Sequence, residues 1–473
     1  MIPQNLLALN ENFMTPTDDV YHGLIEDVLT NGNYKGDRTG TGTFAVVGRM
    51  ARYNLMNGRS PRPTTKAMSD NPERELLWFR NGSSSIKELR DQKIGIWNSW
   101  LMPGSAKYRP MTVEEMKPGI IKHYKEQGYD DVEFAPYAEG DEDVTGKWFT
   151  ETGINLNPNE KTPKVRTVGY AGTADLADFY AWLLSMKAQV LVDGDIGPGG
   201  YGPQWRHWQD TQLIDESELP AYQAQGYQHV IDVRDSEAFY GKVVVHREID
   251  QLANAIKLLR EDPNSRRIIV TAWNPALTWK AALPPCHLYF QFISHELTLE
   301  QRYIIAKDRM LLEKYDIARH EQQTGMMDCA LRTWNEYDIQ IDRRHKTDEE
   351  LHVVMDQLQI PRRGLYGFVL LRSNDLGLGQ PFNVAQYASL THMVAQCVGM
   401  APLELVWTAV DAHVYSNHVE ALREQLELES KECIPRIVLT KGITDIDAFT
   451  ISDIKIIDHE MHKALSDKMP VAV

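Results

Sequence analysis

The chain has 473 residues, 42% hydrophobic and 25% charged, with a formal net charge of −16. That is the composition of a globular protein with a substantial core. The acidic balance excludes non-specific nucleic-acid binding, which runs on surplus lysine and arginine. Four cysteines, at 286, 329, 397 and 433, are too few and too scattered for a disulfide framework or a zinc site, so no metal is expected. A reducing, cytoplasmic setting is the expectation. No stretch is apolar enough to span a bilayer, and the opening Met1-Ile2-Pro3-Gln4-Asn5 lacks the basic start of an export signal.

Tyr21, Leu24, Ile25 and Val28 fall at helical spacing and predict a helix over 19–30. A polar glycine turn follows, Asp37-Arg38-Thr39-Gly40-Thr41-Gly42-Thr43, and leads into a strand through Phe44-Ala45-Val46-Val47. Residues 72–81 read as a helix with Glu75 set among Leu76, Leu77, Trp78 and Phe79. Residues 101–192 are rich in proline and carry the acidic run Glu139-Gly140-Asp141-Glu142-Asp143, the texture of solvated loops. A helix is expected after Thr173, with Leu176, Phe179, Tyr180, Leu183 and Leu184 on one face. Another spans 246–260, with Ile249, Leu252, Ile256 and Leu259 inward, and breaks at Asp262-Pro263-Asn264-Ser265. Strands are expected at 267–273 and 287–293. Residues 296–363 read as a charged, helical, peripheral insertion. A strand at 366–372, an apolar helix at 383–399 and a strand at 404–415 complete the chain order.

Cys286 sits in Leu283-Pro284-Pro285-Cys286-His287, between a proline pair and an aromatic strand. That placement holds a side chain rigidly at the mouth of a sheet and suits a nucleophile. A cysteine is more commonly a small buried hydrophobe, the reading kept for Cys329, Cys397 and Cys433. Other segments set Cys286 apart: Ser265-Arg266-Arg267-Ile268-Ile269-Val270, Arg372-Ser373-Asn374-Asp375-Leu376-Gly377-Leu378-Gly379-Gln380-Pro381-Phe382-Asn383, and Asp411-Ala412-His413-Val414-Tyr415-Ser416-Asn417-His418. With the glycine turn at 37–43, their order and content resemble the thymidylate synthase family. The resemblance covers roughly 18–100, 193–295 and 364–473, and leaves 101–192 and 296–363 as insertions.

The resemblance implies an α+β fold: a twisted mixed sheet with helices on one face and a homodimer formed through the other. It implies one catalytic domain over 1–473 with two elaborations. Cys286 would add to C6 of the uracil ring of dUMP, since a thiolate is polarizable and partly ionised near neutral pH. The addition makes C5 a carbon nucleophile toward the one-carbon unit of 5,10-methylenetetrahydrofolate. Arg38, Arg372 and Ser373 would bind the 5′-phosphate, with Arg266 and Arg267 donated by the partner subunit, because paired guanidiniums match phosphate oxygens. Glu75 would serve as acid and base through ordered water, its pKa raised by burial. Tyr201 would stand near the nucleophile, and His287 would shape the water network. Asn383 would accept from N3–H and donate to O4, the uracil pattern. His413 and Tyr415 would bond the sugar 3′-hydroxyl. Ile96, Trp97, Trp100, Asp375, Leu378, Gly379 and Phe382 would line the folate, Asp375 also facing the nucleotide. Val471, Ala472 and Val473 would close over both ligands.

Hydride from the folate gives a methyl product, whereas water gives hydroxymethyl. Trp97 and the C-terminal residues favour a dry site and the methyl outcome. Leu371 stands where the family commonly has glutamine, and Pro198-Gly199-Gly200-Tyr201 is one residue longer than the usual pattern. A dUMP hydroxymethylase is therefore the alternative. A third reading, a nucleotide-binding assembly protein with vestigial catalysis, has Cys286, Glu75 and Asn383 against it.

Overall fold

A computed structural model describes residues 17–36, 40–110, 189–233, 241–324, 347–463 and 468–470. It also describes positions 115, 118 and 125 and the strands Asp131–Pro136, Phe149–Thr152 and Val165–Tyr170. The chain divides into two compact units, Met1–Ser84 with Ile196–Val473, and Ser85–Asp195.

The first unit begins with α1 (Thr17–Asn31), β1 (Asn33–Lys35), β2 (Thr43–Asn54) and α2 (Asn71–Arg80). After Ile196 come α3 (Tyr201–Arg206), β3 (Trp208–Asp215), β4 (Gln228–Val233), β5 (Lys242–Ile249) and α4 (Gln251–Glu261). Then follow β6 (Ile269–Thr271), β7 (His287–Glu296), α5 (Leu299–Thr324), α6 (Asp348–Gln357) and β8 (Arg363–Leu371). The last labelled elements are β9 (Asn374–Asp375), α7 (Gly379–Val398) and β10 (Ala401–Tyr415). The large sheet has the order β1-β2-β10-β8-β7-β6, with β9 alongside β10. β10 runs parallel to β8 and β9, and the remaining pairs are antiparallel. A mixed sheet with segregated helices is the α+β architecture expected.

α1 buries Tyr21, Leu24, Ile25 and Val28, the positions its spacing singled out. α7 packs against α2, β8 and β10 and is buried almost all round. It stops at Gly399, whose left-handed φ of 68° suits a residue without Cβ. Its interior also holds polar groups, which need partners. Ser389 Oγ donates to Glu73 Oε1 at 2.7 Å, and the Arg62 guanidinium donates to Glu73 Oε2 at 2.5 Å. Both members of that ion pair are only 1% exposed. Arg62→Met strands a buried carboxylate, so it should cost about 3–5 kcal/mol in urea unfolding. Arg62→Met with Glu73→Leu should recover most of that loss; a double variant as unstable as the single would contradict the pairing.

The helix expected over 246–260 starts only at Gln251. Residues 246–249 belong to β5, which is paired on one side with β3 through Ile249 and on the other with β4. Val243 and Val245 alternate inward, and Asp250 caps the helix by accepting from the Ala253 N–H at 2.9 Å. The resulting β3-β5-β4 sheet, with its own core of Ile214, Tyr227, Val243 and Val245, was not anticipated within 193–295. The strand expected at 267–273 shortens to Ile269–Thr271. Within the described parts of 296–363, α5 and α6 supply the helical character expected. They share a buried cluster with the sheet margin: Met56, Leu297, Ile305, Met355, Ile360 and Leu403.

In the second unit, Lys107–Pro110 pairs antiparallel with Gln189–Asp193. Val165–Tyr170 lies between Asp131–Pro136 and Phe149–Thr152. Part of the stretch read as loop is therefore strand. The acidic run at 139–143 and the helix expected after Thr173 lie outside the described residues.

Candidate active site

Cys286 immediately precedes β7 and is a free, half-buried thiol. Its backbone N–H donates to the Tyr201 hydroxyl at 2.7 Å, and its carbonyl accepts from the Arg372 backbone N–H at 2.8 Å. The Arg372 side chain returns to the same loop, donating to the carbonyls of Pro284 and Pro285 at 2.8 and 2.9 Å. The proline pair thus presents two acceptors that hold a cation beside the sulfur. Burial pushes the Cys286 thiol above its ordinary value, while Arg372 and a hydrogen bond with the Tyr201 side chain pull it back. A raised pKa means that thiolate accumulates only as pH rises. Peptide-resolved iodoacetamide alkylation of Cys286 in the free protein should therefore have its midpoint above the ordinary 9.0. Arg372→Leu should move that midpoint higher still; a midpoint moving down would contradict this electrostatic role.

Tyr201 opens α3 directly after Gly199-Gly200. A Cβ on Gly199 would lie 2.2 Å from the Leu277 carbonyl oxygen, so this close approach requires glycine. The longer turn is thus a built feature that delivers Tyr201 to the thiol loop. The Tyr201 ring lies 4.8 Å from that of His287 and 4.6 Å from that of Phe79. Burial keeps its phenol protonated, well above the ordinary range. His287 is buried opposite Leu371 in the β7–β8 pairing, and its Nδ1 is 3.0 Å from the Tyr387 hydroxyl. Burial lowers its pKa to about 3, against a side-chain hydrogen bond with Asn383, so the ring is neutral at pH 7.

Glu75 is buried on α2, not on a solvated helix face, and accepts from Gln386 Nε2 of α7 at 2.9 Å. Asn383, in the first turns of α7, accepts on Oδ1 from Asn374 Nδ2 at 2.9 Å. The Asp375 carboxylate accepts from the backbone N–H groups of Gly377 and Leu378 at 2.8 and 3.2 Å. β9 places Asp375 opposite His413 on β10. Asp411 Oδ1 orients the His413 ring through Nδ1 at 2.7 Å, and Tyr415 stands edge-on to that ring at 5.3 Å. Ser373, Leu378 and Phe382 are half-buried around this turn, and Gly379 starts α7.

Arg266 and Arg267 are exposed just before β6, and among the described residues no hydrogen bond or ion pair reaches either guanidinium. Ile96, Trp97 and Trp100 lie in the second unit, where Trp97 is buried and meets Trp100 edge-on at 6.2 Å. Arg38 and the tail residues Val471, Ala472 and Val473 lie outside the described residues.

The thymidylate synthase family model matches residues 19–333 and 330–473. The chain belongs to the thymidylate synthase family. Similar proteins include the thymidylate synthases of Listeria monocytogenes serotype 4a (strain HCC23) and Listeria innocua serovar 6a (strain ATCC BAA-680 / CLIP 11262). Each is 27% identical over 453 residues, covering 96% of this chain and 99% of the relative.

Within this thymidylate synthase fold the structure adds residues that sequence reading passed over. Lys66 is half-buried, donates to the Gly377 carbonyl at 2.7 Å and stands near Asp375. Burial lowers its pKa to about 8, with Asp375 opposing. Its loop is tied down by Asp18, which accepts from the backbone and hydroxyls of Thr64 and Thr65. Gln386, Tyr387, Asn374 and Trp407 form the inner support of the site. The available signal was their polarity inside otherwise apolar runs. Among the described residues no helix is long and apolar enough to cross a membrane.

Proposed function

We propose that this chain methylates dUMP to dTMP with 5,10-methylenetetrahydrofolate. The observation that carries the reading is the Cys286 thiol, fixed at the strand mouth by Tyr201 and backed by the Arg372 guanidinium. Its sulfur adds to C6 of the uracil, and the C5–C6 electron pair moves toward C4–O4 as an enolate. Asn383 accepts N3–H and donates to O4, placing hydrogen-bond donation where that charge develops. Neutral His287 and protonated Tyr201 keep the surrounding water oriented. With C5 bonded to the one-carbon unit that the folate supplies, Glu75, held by Gln386, takes the C5 proton through water. Elimination then returns the sulfur to Cys286.

The folate supplies the carbon and the hydride. The Asp375 carboxylate, fixed by two backbone N–H groups, offers a rigid acceptor to the donor edge of a pteridine. Leu378, Gly379 and Phe382 would line the same ligand. Val471, Ala472 and Val473 would close the site.

Arg38, Arg372 and Ser373 would hold the 5′-phosphate, with Arg266 and Arg267 from a second copy. Two observations support that homodimer. Both arginines are exposed. The large sheet also leaves Val47, Met50, Ile269, Ile293 and Val410 exposed, at 39–79%. Replacing both Arg266 and Arg267 with alanine should raise KM for dUMP at least ~100-fold, since each lost charge-assisted bond is worth roughly tenfold or more. Mixing that variant with Cys286→Ala protein should restore part of the activity, because one hybrid site regains every part. No recovery after verified subunit exchange would contradict a shared site.

Leu371 favours a second reading, hydroxymethylation of dUMP with the same donor. It is fully buried beside Arg372 and supplies no amide there. Mass analysis of the product, with absorbance followed for dihydrofolate, separates the two. A product one methyl heavier, with dihydrofolate formed, supports the synthase; a hydroxymethyl product without dihydrofolate overturns it.

A further inference from the structure

We propose that Trp407 and Asn374 set the base specificity of the site by fixing which way the Asn383 carboxamide faces. The inference rests on the reading of Asn383 as the group that meets the base.

Donors and acceptors alone fix the order of contacts. Trp407 is fully buried on β10, and Asn374 is 4% exposed on β9. An indole N–H can only donate. The Asn374 atom 3.1 Å from Trp407 Nε1 must therefore be its carbonyl oxygen. The other end of the Asn374 amide is then NH2, which can only donate. The Asn383 atom that receives it at 2.9 Å must be Oδ1. Each step has one solution, so the orientation of Asn383 follows from a tryptophan two steps away in the relay. The neutral His287 ring, which also bonds Asn383, can match either orientation by its tautomer because its other nitrogen meets the Tyr387 hydroxyl. Pairing of Asn374 with Ala412 fixes the backbone. Gly379 keeps the space open, since a Cβ there would stand 3.1 Å from Asn374 Nδ2.

The consequence is chemical. Uracil offers a donor at N3 and an acceptor at O4, whereas cytosine offers an acceptor at N3 and a donor at the exocyclic amine. A carboxamide reads either edge, and the two readings differ only by a half-turn of the amide. Asn383 alone therefore does not choose between the bases. The relay chooses, by keeping the carbonyl on the Asn374 side and the NH2 on the other.

The test uses the full chain and compares dUMP with dCMP by equilibrium binding. In Asn374→Asp the ionised side chain only accepts. It takes the Trp407 N–H on one oxygen and draws the Asn383 NH2 toward the other, which turns the Asn383 carbonyl toward position 4. The dUMP-to-dCMP affinity ratio should fall by about 100-fold or more, two hydrogen bonds being reversed at roughly tenfold each. Trp407→Phe frees the relay without reversing it, and the ratio should fall about tenfold. General damage weakens both nucleotides alike and leaves the ratio unchanged. An unchanged ratio in a folded Asn374→Asp protein overturns the relay; if that variant does not fold, the ratio in Trp407→Phe decides. Wild-type protein that prefers dUMP yet turns none of it over would sink the proposed reaction while leaving the relay standing or falling on these ratios. A wild-type preference for dCMP would overturn the relay itself.

Discussion

Cys286→Ala should retain less than about one ten-thousandth of wild-type turnover of dUMP, the scale seen when a covalent nucleophile is removed. The substitution is structurally mild. The side chain is small and half-buried, its thiol shares one hydrogen bond with Tyr201, and two further hydrogen bonds at this position are made by its backbone, to Tyr201 and to Arg372. Alanine keeps both and removes only the sulfur. The ring then has no group to add at C6, so C5 stays unreactive however well dUMP is held. Equilibrium dUMP binding should change by less than about tenfold, since recognition lies with the arginines and Asn383. Steady-state turnover and nucleotide binding measured on the same preparation check both halves. Turnover within tenfold of wild type would remove Cys286 from the reaction.

Glu75→Gln should lower kcat by about 10²–10⁴-fold, the usual contribution of a positioned acid or base. The amide is nearly isosteric, and its carbonyl oxygen can still accept from Gln386, which keeps the α2–α7 contact at 2.9 Å. What it cannot do is take up a proton. Release of tritium from dUMP labelled at C5 reads that step directly and should fall in parallel with kcat. Normal tritium release in Glu75→Gln would place the proton with another group.

The sequence carried those parts of the fold whose periodicity tertiary contacts reinforce. α1 and α7 stand where their apolar spacing put them, because a face made of Tyr21, Leu24, Ile25 and Val28 has one way to be buried. The 246–260 segment shows the limit. Ile249 lies three residues before Leu252 and extends a helical pattern, but β3 pairs with β5 through Ile249 and β4 pairs through His246, so these residues are captured as strand. The β3-β5-β4 sheet escaped notice because β3 and β4 mix glutamine, aspartate and histidine with the exposed Leu213, Val230 and Ile231, which leaves no clean alternation to read. Among the described residues its buried cluster has four side chains, with Leu219 and Tyr222 half-buried against it.

At the candidate site, residues in contiguous motifs could be named as candidates from the chain: Cys286 with its prolines, Arg372, Asp375, Asn383 and His413. Glu75 was named as a candidate whose burial followed only from the resemblance, since an acidic residue in a short helix by itself reads equally as solvated. The supporting network was hidden because its members meet only in the fold. Gln386 lies 311 residues from Glu75, and Trp407 lies 33 from Asn374. Hydrogen bonds over such separations leave no spacing in the chain to read.

The central claim is a reversible bond between the Cys286 sulfur and C6 of the nucleotide. Fluorine at C5 blocks the proton loss that lets the adduct proceed. Wild-type protein incubated with 5-fluoro-dUMP and 5,10-methylenetetrahydrofolate should therefore gain the mass of both ligands, and digestion should place them on the peptide containing Pro284-Pro285-Cys286. A label on any other peptide, or no covalent species under conditions where dUMP is turned over, would contradict the account.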